Sequence, residues 1–499
     1  MPEDRPDPVG AATPGSALAI ATPSAFGPQW VGPTGVAGPG VLIAVSAVGA
    51  VAAISLTWDR PGVGWLIAGV MAATAIFTLA WRGGGRPRAD RLAWAATTVA
   101  LLAVGAVRAA PWLFALCIPA AGVCGALTVA GGRTRRGLFL GTVSVPIAAL
   151  RGLPWASRGL RMVRTRSGGA AGRTLAAVAV SVVLLLVFGA LLAGADTAFA
   201  SLVDVAMPTV DGATLLRWLA TFALVVFLMV GVCFVAAAPP SFDGESGPRR
   251  TWRRVDWALP VGTVVSLFAV FVAVQATVLF GGGGHVLRTS GLTYAEYART
   301  GFWQLSTVTV LTLLVIAMAA RGASRVSAAD RAWLRLLLGG LAVLSLVIVA
   351  SALTRMWTYE QAYGFTRLRV LVSVCEMWLG VVFVLVLLAG IRLRAPWLPR
   401  AIVGTALAAL LGMAALNPDG FIAERNVVRY DTTHRIDVDY LSQLSADAVP
   451  ALERLPEPLR GCVLAGIRTS VDRPGPDEWR EWNLGRARAR RATYRAVCA

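Results

Sequence analysis

The chain has 499 residues, 56% of them hydrophobic and only 15% charged, with a mean hydropathy of +0.66. A composition this apolar excludes a water-soluble globular protein of this length. The formal net charge of +19 does not indicate nucleic-acid binding, because no basic stripe with interleaved stacking aromatics lies on a soluble segment.

Residues 1–38 are rich in Pro, Gly, Ala and Ser, and prolines interrupt every apolar run. They are expected to form a disordered cytoplasmic tail; no basic stretch precedes a continuous apolar core, as a signal peptide would require. Eleven apolar stretches follow, at about 40–58, 62–81, 92–107, 109–130, 174–194, 214–238, 258–280, 302–320, 334–353, 370–390 and 400–416. Each approaches the roughly 20 residues that cross a bilayer as a helix. The predicted fold is therefore all-α, a polytopic transmembrane helical bundle over 39–416.

The arginines orient it. Arg82, Arg86, Arg88 and Arg91 follow the second stretch, and nine arginines between Arg133 and Arg173 follow the fourth. Arg249–Arg254, Arg321–Arg335 and Arg392–Arg400 follow the sixth, eighth and tenth. The alternate gaps are poorer in Arg, and 195–213 carries Asp196, Asp204 and Asp211 with no Arg. Basic residues stay on the cytoplasmic side, so the N-terminus is expected inside, the C-terminus outside, and the protein in the cell membrane. Anionic lipid headgroups at the cytoplasmic Arg loops are the expected partners.

Residues 137–150 (GLFLGTVSVPIAAL) are apolar, short and flanked by basic runs. They read as an interfacial or re-entrant helix, since a crossing here would reverse the charge pattern of every later loop. From Asn417 to Ala499 the chain changes character, with 12 acids and 13 arginines. Asn417-Pro418-Asp419 reads as a helix start with Asn as the cap. The tail is expected to be a small extracytoplasmic α-helical domain over 417–499.

Once the chain is oriented, its polar, aromatic-rich motifs gather at the outer mouths of the helices: Asp196; Glu296, Tyr297 and Arg299; Glu360, Tyr363, Arg367 and Arg369; and Asp419, Glu424, Arg425 and Asn426. Guanidinium groups there could grip a carboxylate or phosphate. Equally, such residues form an interfacial belt that ties helix ends together. Glu376 lies inside the tenth stretch, where a carboxylate is costly; Arg369 or Arg355 is its expected partner. Cys117, Cys124, Cys233 and Cys375 sit in apolar stretches as small hydrophobes. Cys462 and Cys498 lie in the tail and are candidates for a disulfide in an oxidising compartment. With two histidines, no metal-ligand cluster is expected; no Walker motif, GxSxG elbow or catalytic residue set is found, and no cofactor is implied.

The motifs GADTAFA, TYAEYARTGFWQL, YEQAYGFTRLRV, NPDGFIAERN, DVDYLSQLSADAVPAL and EWNLGRARAR together resemble an uncharacterised bacterial polytopic membrane family, the domain of unknown function 4153/4173 type. The resemblance covers roughly 175–495 and implies an integral membrane protein of a kind common in actinobacteria. It fits the absence of Lys and the Ala, Gly and Val bias of the chain, and it carries over no catalytic residue. The expected role is a non-enzymatic envelope scaffold, sensor or regulator at the outer face, with an envelope protein as partner. A proton-coupled secondary transporter and an enzyme acting on lipid-linked sugars are the alternatives. Against the enzyme stands the short first outer loop, Trp58–Gly62.

Overall fold

The computed structural model describes residues 30, 32–82, 88–132, 134–166, 212–240, 251–280, 294–393, 395–471 and 478–490, and isolated helical positions between 177 and 196; for 82, 276–280, 294–303 and 469–471 only the backbone is described. Among these residues every regular element is helical. The first eleven helices are α1 (Pro39–Ser55), α2 (Val63–Arg82), α3 (Ala89–Val107), α4 (Pro111–Ala130), α5 (Arg135–Arg166), α6 (Gly212–Ala237), α7 (Arg254–Phe280), α8 (Tyr294–Gly322), α9 (Ala328–Tyr363), α10 (Arg367–Arg392) and α11 (Leu398–Leu416). After them come α12 (Pro418–Thr433), α13 (Val438–Ser442), α14 (Val449–Leu452), α15 (Leu459–Val471) and α16 (Leu484–Ala489). Ten of the described helices are long and apolar enough to cross a membrane, and the 17-residue α1 is apolar but shorter. The protein is an integral, multi-pass membrane protein.

Local sequence explains the ends. Pro39, Pro111 and Pro418 occupy first helical turns, where a missing N–H costs nothing. Ser327 and Thr366 cap α9 and α10, their hydroxyls accepting from the backbone N–H of Asp330 at 3.0 Å and of Arg369 at 3.5 Å. Several helices run past their apolar stretches into the polar flanks: α9 continues through Tyr359-Glu360-Gln361 to Tyr363. Asn417 differs from expectation. It starts no cap hydrogen bond; it adopts the left-handed conformation, at φ 58°, and turns the chain sharply from α11 into α12.

Cross-links between helix ends sort the molecule into two faces. On the first face, Arg400 reaches from α11 to Gly132 O at 2.9 Å and Asp90 at 3.2 Å, and Arg254 pairs with Asp330 at the start of α9. Arg325 donates to Leu393 O at the end of α10, and Trp30 Nε1 donates to Ala238 O beyond the end of α6. On the second face, Asp59 in the α1–α2 turn pairs with Arg217 at the start of α6, at 2.9 Å. Trp58 Nε1 bonds Thr221 Oγ1 there. Arg108, after α3, donates to the carbonyls of Ala414 and Ala415 at the end of α11.

Residues 137–150 are not a separate short helix. They form the first half of α5, which continues unbroken to Arg166. Both parts of α5 touch the first face. Gly141 packs against Gly131 O at the end of α4, while Gly159 packs against Ala37 just before α1, where Ala37 N donates to Trp155 O at 3.4 Å. Between them Val145, Ala148, Ala149 and Trp155 are buried, a helical stripe against the last turns of α6. There Gly231 lies under Val145 and Ala149, and Gly152 meets Val230 and Phe234. The α5 helix is apolar and long enough to cross, and both of its halves pack against the first-face ends of α1, α4 and α6.

Helices α7–α10 form a second body around Trp257, Phe268, Leu341 and Phe383. The α11 helix lies between the bodies, against α3, α4, α5 and α10. Helices α12–α16 build a smaller core around Ile422, Leu441, Leu452 and Leu464, to which the α9–α10 turn contributes Phe365.

Candidate functional site

The centre of the second face is a buried carboxylate. Asp419, in the first turn of α12, is 0% exposed. Arg367, in the first turn of α10, grips it in parallel: Nε donates to Oδ1 at 2.9 Å and Nη2 to Oδ2 at 2.7 Å. Trp112 Nε1 in α4 adds a bond to Oδ1 at 3.1 Å, and the Ser445 backbone N–H one to Oδ2 at 2.8 Å. Burial by itself would raise this carboxyl, but the Arg367 hydrogen bonds and charge, with the Ser445 N–H, outweigh it and hold Asp419 below the usual carboxylate range. Arg367 is completed by Gln443 O, and its own N–H donates to the Tyr440 hydroxyl at 2.7 Å.

Neighbouring Asp447 stands in the opposite condition. Its Oδ2 accepts the Ala109 backbone N–H at 2.6 Å. Burial dominates over that bond and over the nearby Arg108 charge, while Asp419 pushes the same way as burial, so its carboxyl is raised to about 6. Asn426 is saturated: Oδ1 accepts Phe365 N–H, and Nδ2 donates to Phe365 O and Ile422 O. Asn483 Nδ2 donates to Gly105 O and Arg108 O, and its Oδ1 caps α16 through Arg486 N–H. Arg486 Nη2 reaches Pro61 O at 3.1 Å. The bonds to Ala109, Phe365, Gly105, Arg108 and Pro61 tie the α12–α16 domain to turns and helix ends of the membrane body.

Of the residues expected at this face, Arg367, Asp419 and Asn426 thus come together, and their polar groups are taken up by architecture. Arg369 serves the α9–α10 turn, donating to Tyr363 O at 3.2 Å and to Gly364 O, with its guanidinium 4.3 Å from the Tyr359 ring centroid. Tyr363 stands exposed beside Tyr359. Glu424 is exposed and pairs with Arg454 at 3.6 Å, and Arg425 stacks over Phe421 and Trp357. The described contacts do not place Asp196 beside Asp419. Glu296, Tyr297 and Arg299 lie in the first turns of α8, outside the residues whose side chains are described.

Glu376 is 2% exposed on α10 and faces Ser306 of α8. The expected partnership with Arg369 is absent, because that guanidinium turns back to the α9 carboxyl end. Among the described residues Glu376 makes no ion pair, and its Oε2 has no hydrogen-bond partner; the same holds for Oε1 of buried Glu360. Cys117, Cys124 and Cys233 are buried free thiols, while Cys375 is exposed on the outside of its helix rather than buried as expected. Cys462 is disulfide-bonded; Cys498 lies outside the described residues. No group of three metal-ligating side chains occurs among the described residues.

A cavity of about 300 Å³ opens between the membrane body and the tail domain, beside the Asp419 clasp. Arg60, Arg108, Arg367 and Arg486 line it, with Asp59 as the one acid. Four motifs stand out in the sequence, whereas Arg108, Trp112, Asp447 and Asn483 do not. The signal for Arg108 was present, as an Arg on the face where arginines are scarce.

The profile of the family described as Domain of unknown function (DUF4153) matches residues 96–455. The chain belongs to the DUF4153 family. No curated protein and no solved structure matches it. In this DUF4153 protein the matched region runs from within α3 to just past α14. It therefore contains Arg108, Trp112, Arg367, Asp419 and Asp447, but not Asn483 or Arg486.

Proposed function

We propose that this DUF4153 protein crosses the cell membrane eleven times, with its N-terminus cytoplasmic and its α12–α16 domain outside, and acts as a non-enzymatic sensor or regulator of the envelope. The arginine-rich first face supports this orientation by the positive-inside rule. So does the disulfide at Cys462, for which Cys498 is the proposed partner in an oxidising compartment. The eleventh crossing is the partly described 174–194 segment.

The observation that carries the sensor reading is the arginine-lined cavity at the junction of body and domain. A guanidinium has five N–H donors, and Arg108 spends two on Ala414 and Ala415. A small carboxylate or phosphate held there would touch the α1–α2 turn, the α3–α4 turn and the tail domain at once. Its binding would thereby be transmitted to the docking of that domain, and through it to an envelope protein partner.

Thermal unfolding of the full chain in detergent, with inorganic phosphate or succinate added, tests this. Either anion should raise Tm in the wild type and fail to do so in Arg108→Gln, in which the donors facing the cavity are reduced. Absence of any anion effect on the wild type removes the sensor reading.

Transport has its own support, in the two buried and partly unpartnered carboxylates Glu360 and Glu376. Proteoliposomes carrying an imposed proton gradient should then show solute-dependent proton flux that Glu376→Gln abolishes. The lipid-linked sugar enzyme has less support: Asp59, the acid of the first outer loop, is engaged by Arg217.

A further inference from the structure

On the first face a groove of about 1200 Å³ separates the two helical bodies. This exceeds the roughly 300–1,000 Å³ of small-molecule pockets. Its walls are apolar faces of α4, α5, α8, α9, α10 and α11, and its rim carries Arg135, Arg321, Arg325 and Arg335. No carboxylate lines it. Arg325 is anchored by the carbonyls of Leu393 and Ala320, whereas Arg321 and Arg335 are exposed and bond to no described residue.

On α10 the lining begins at Trp378, whose Nε1 bonds Thr405 Oγ1 at 3.3 Å. From Trp378 to the end of α10 at Arg392 is about 20 Å at 1.5 Å per residue. That is the thickness of one leaflet, about half of a bilayer (~40 Å with headgroups). The groove is therefore too deep for a headgroup alone and too short for a spanning helix. We propose that it holds one anionic glycerophospholipid of the first-face leaflet, its acyl chains between the bodies and its phosphate between Arg321 and Arg335. Guanidinium groups match phosphate oxygens in bidentate fashion, and the rim offers positive charge only.

Gly339 lines this groove, and a side chain there would enter open space. Two kinds of variant therefore probe the site independently: Arg321→Ala with Arg335→Ala removes the charge, and Gly339→Leu fills the volume. The full chain, purified in detergent and delipidated, is titrated with phosphatidylglycerol, phosphatidylcholine, glycerophosphate and inorganic phosphate, with bound lipid counted by native mass spectrometry.

The expected result is one phosphatidylglycerol retained per wild-type chain, at least tenfold tighter than phosphatidylcholine, and no effect of the two chain-free phosphates. The double arginine variant should lose the preference for phosphatidylglycerol, and Gly339→Leu should lose the lipid while keeping the wild-type Tm without lipid. Equal binding of the two lipids by the wild type overturns the proposal. So does undiminished phosphatidylglycerol binding by either variant. A response to free phosphate that the double arginine variant loses would assign the rim to a soluble anion instead, and would equally overturn it. The outer cavity is untouched by these substitutions, so the outcome is independent of the sensor reading.

Discussion

Arg367 and Asp419 lie 52 positions apart in sequence and meet through two parallel hydrogen bonds of 2.9 and 2.7 Å. They join the start of a membrane helix to the start of the tail domain. Only the arginine retains some contact with solvent, its side chain 29% exposed against 0% for the aspartate. That asymmetry predicts unequal effects of deletion. Arg367→Ala strands a buried carboxylate on Trp112 and Ser445 and should cost about 3–5 kcal/mol, the usual penalty for breaking a buried pair. Asp419→Asn, which keeps one acceptor oxygen and leaves a part-exposed cation, should cost less. Hydrogen exchange over α12, with whole-chain unfolding as control, measures both.

The Asp447 carboxyl predicts a pH response. Its folded value of about 6 lies above its ordinary 3.8, so the folded state binds its proton more tightly than the unfolded chain. The resulting penalty is fully present above pH 6, on the order of 3 kcal/mol at 1.36 kcal/mol per unit, and fades as pH falls from 6 toward 4. Docking of the tail domain should tighten over that window. In Asp447→Asn, which still accepts the Ala109 N–H, that tightening should vanish. Asp419, held low, acts with the opposite sign: its stabilisation is present at neutral pH and lost only below its ordinary value. Protease sensitivity of the α12–α16 domain between pH 7 and 4.5 reads the balance.

Gly231 predicts the sensitivity of the α5–α6 contact. A Cβ at this position would stand 2.5 Å from Val145 O and 2.7 Å from Ala149 N, both backbone atoms that have little room to withdraw. Gly231→Ala should push α5 off α6 at a cost of roughly 1–3 kcal/mol, typical of overpacking. Gly262→Ala, on α7 with open space around it, should be tolerated. The comparison is made by thermal unfolding in one detergent.

Asn483 predicts how firmly the last described helix is held. Asn483→Ala deletes two donors to Gly105 and Arg108 and the cap of α16. A loss of about 1–3 kcal/mol for buried carbonyls left unsatisfied should appear as faster exchange in both α16 and the 105–112 turn. Asn483→Asp, which keeps the cap acceptor but not the donors, should restore α16 and not the turn.

How much of this was legible in the sequence depended on range. The alternation of arginines marked the faces because it reflects a field that acts on every loop separately. The apolar stretches marked the helices for the same local reason. The extension of α9 through Glu360 to Tyr363 was not legible, since interfacial polar residues continue a helix as readily as they end one. Residues 137–150 read from sequence as a short apolar piece between basic runs, but the continuation to Arg166 depends on burial against α6, which no local pattern encodes. At the site, Asp419 and Arg367 stood out singly; their union required α10 and α12 to be placed side by side. Asp447, Trp112 and Asn483 escaped notice because each matters only through a backbone group or carboxylate supplied by a distant segment. Glu376 and Arg369 erred the other way: helical spacing put them on one face, and the α9–α10 turn claimed the guanidinium first.

The contacts of residues 478–490 bear on how the molecule is made. Arg480 reaches Ile54 O, Trp482 O accepts from Val63, Asn483 spans Gly105 and Arg108, and Arg486 meets Pro61. All of these belong to the first two helical hairpins, which leave the ribosome hundreds of residues earlier. Until residues 478–490 are made, these backbone groups of the first two hairpins lack the partners that the folded chain gives them. The turns of the first two hairpins are thus completed only by a segment synthesised hundreds of residues later.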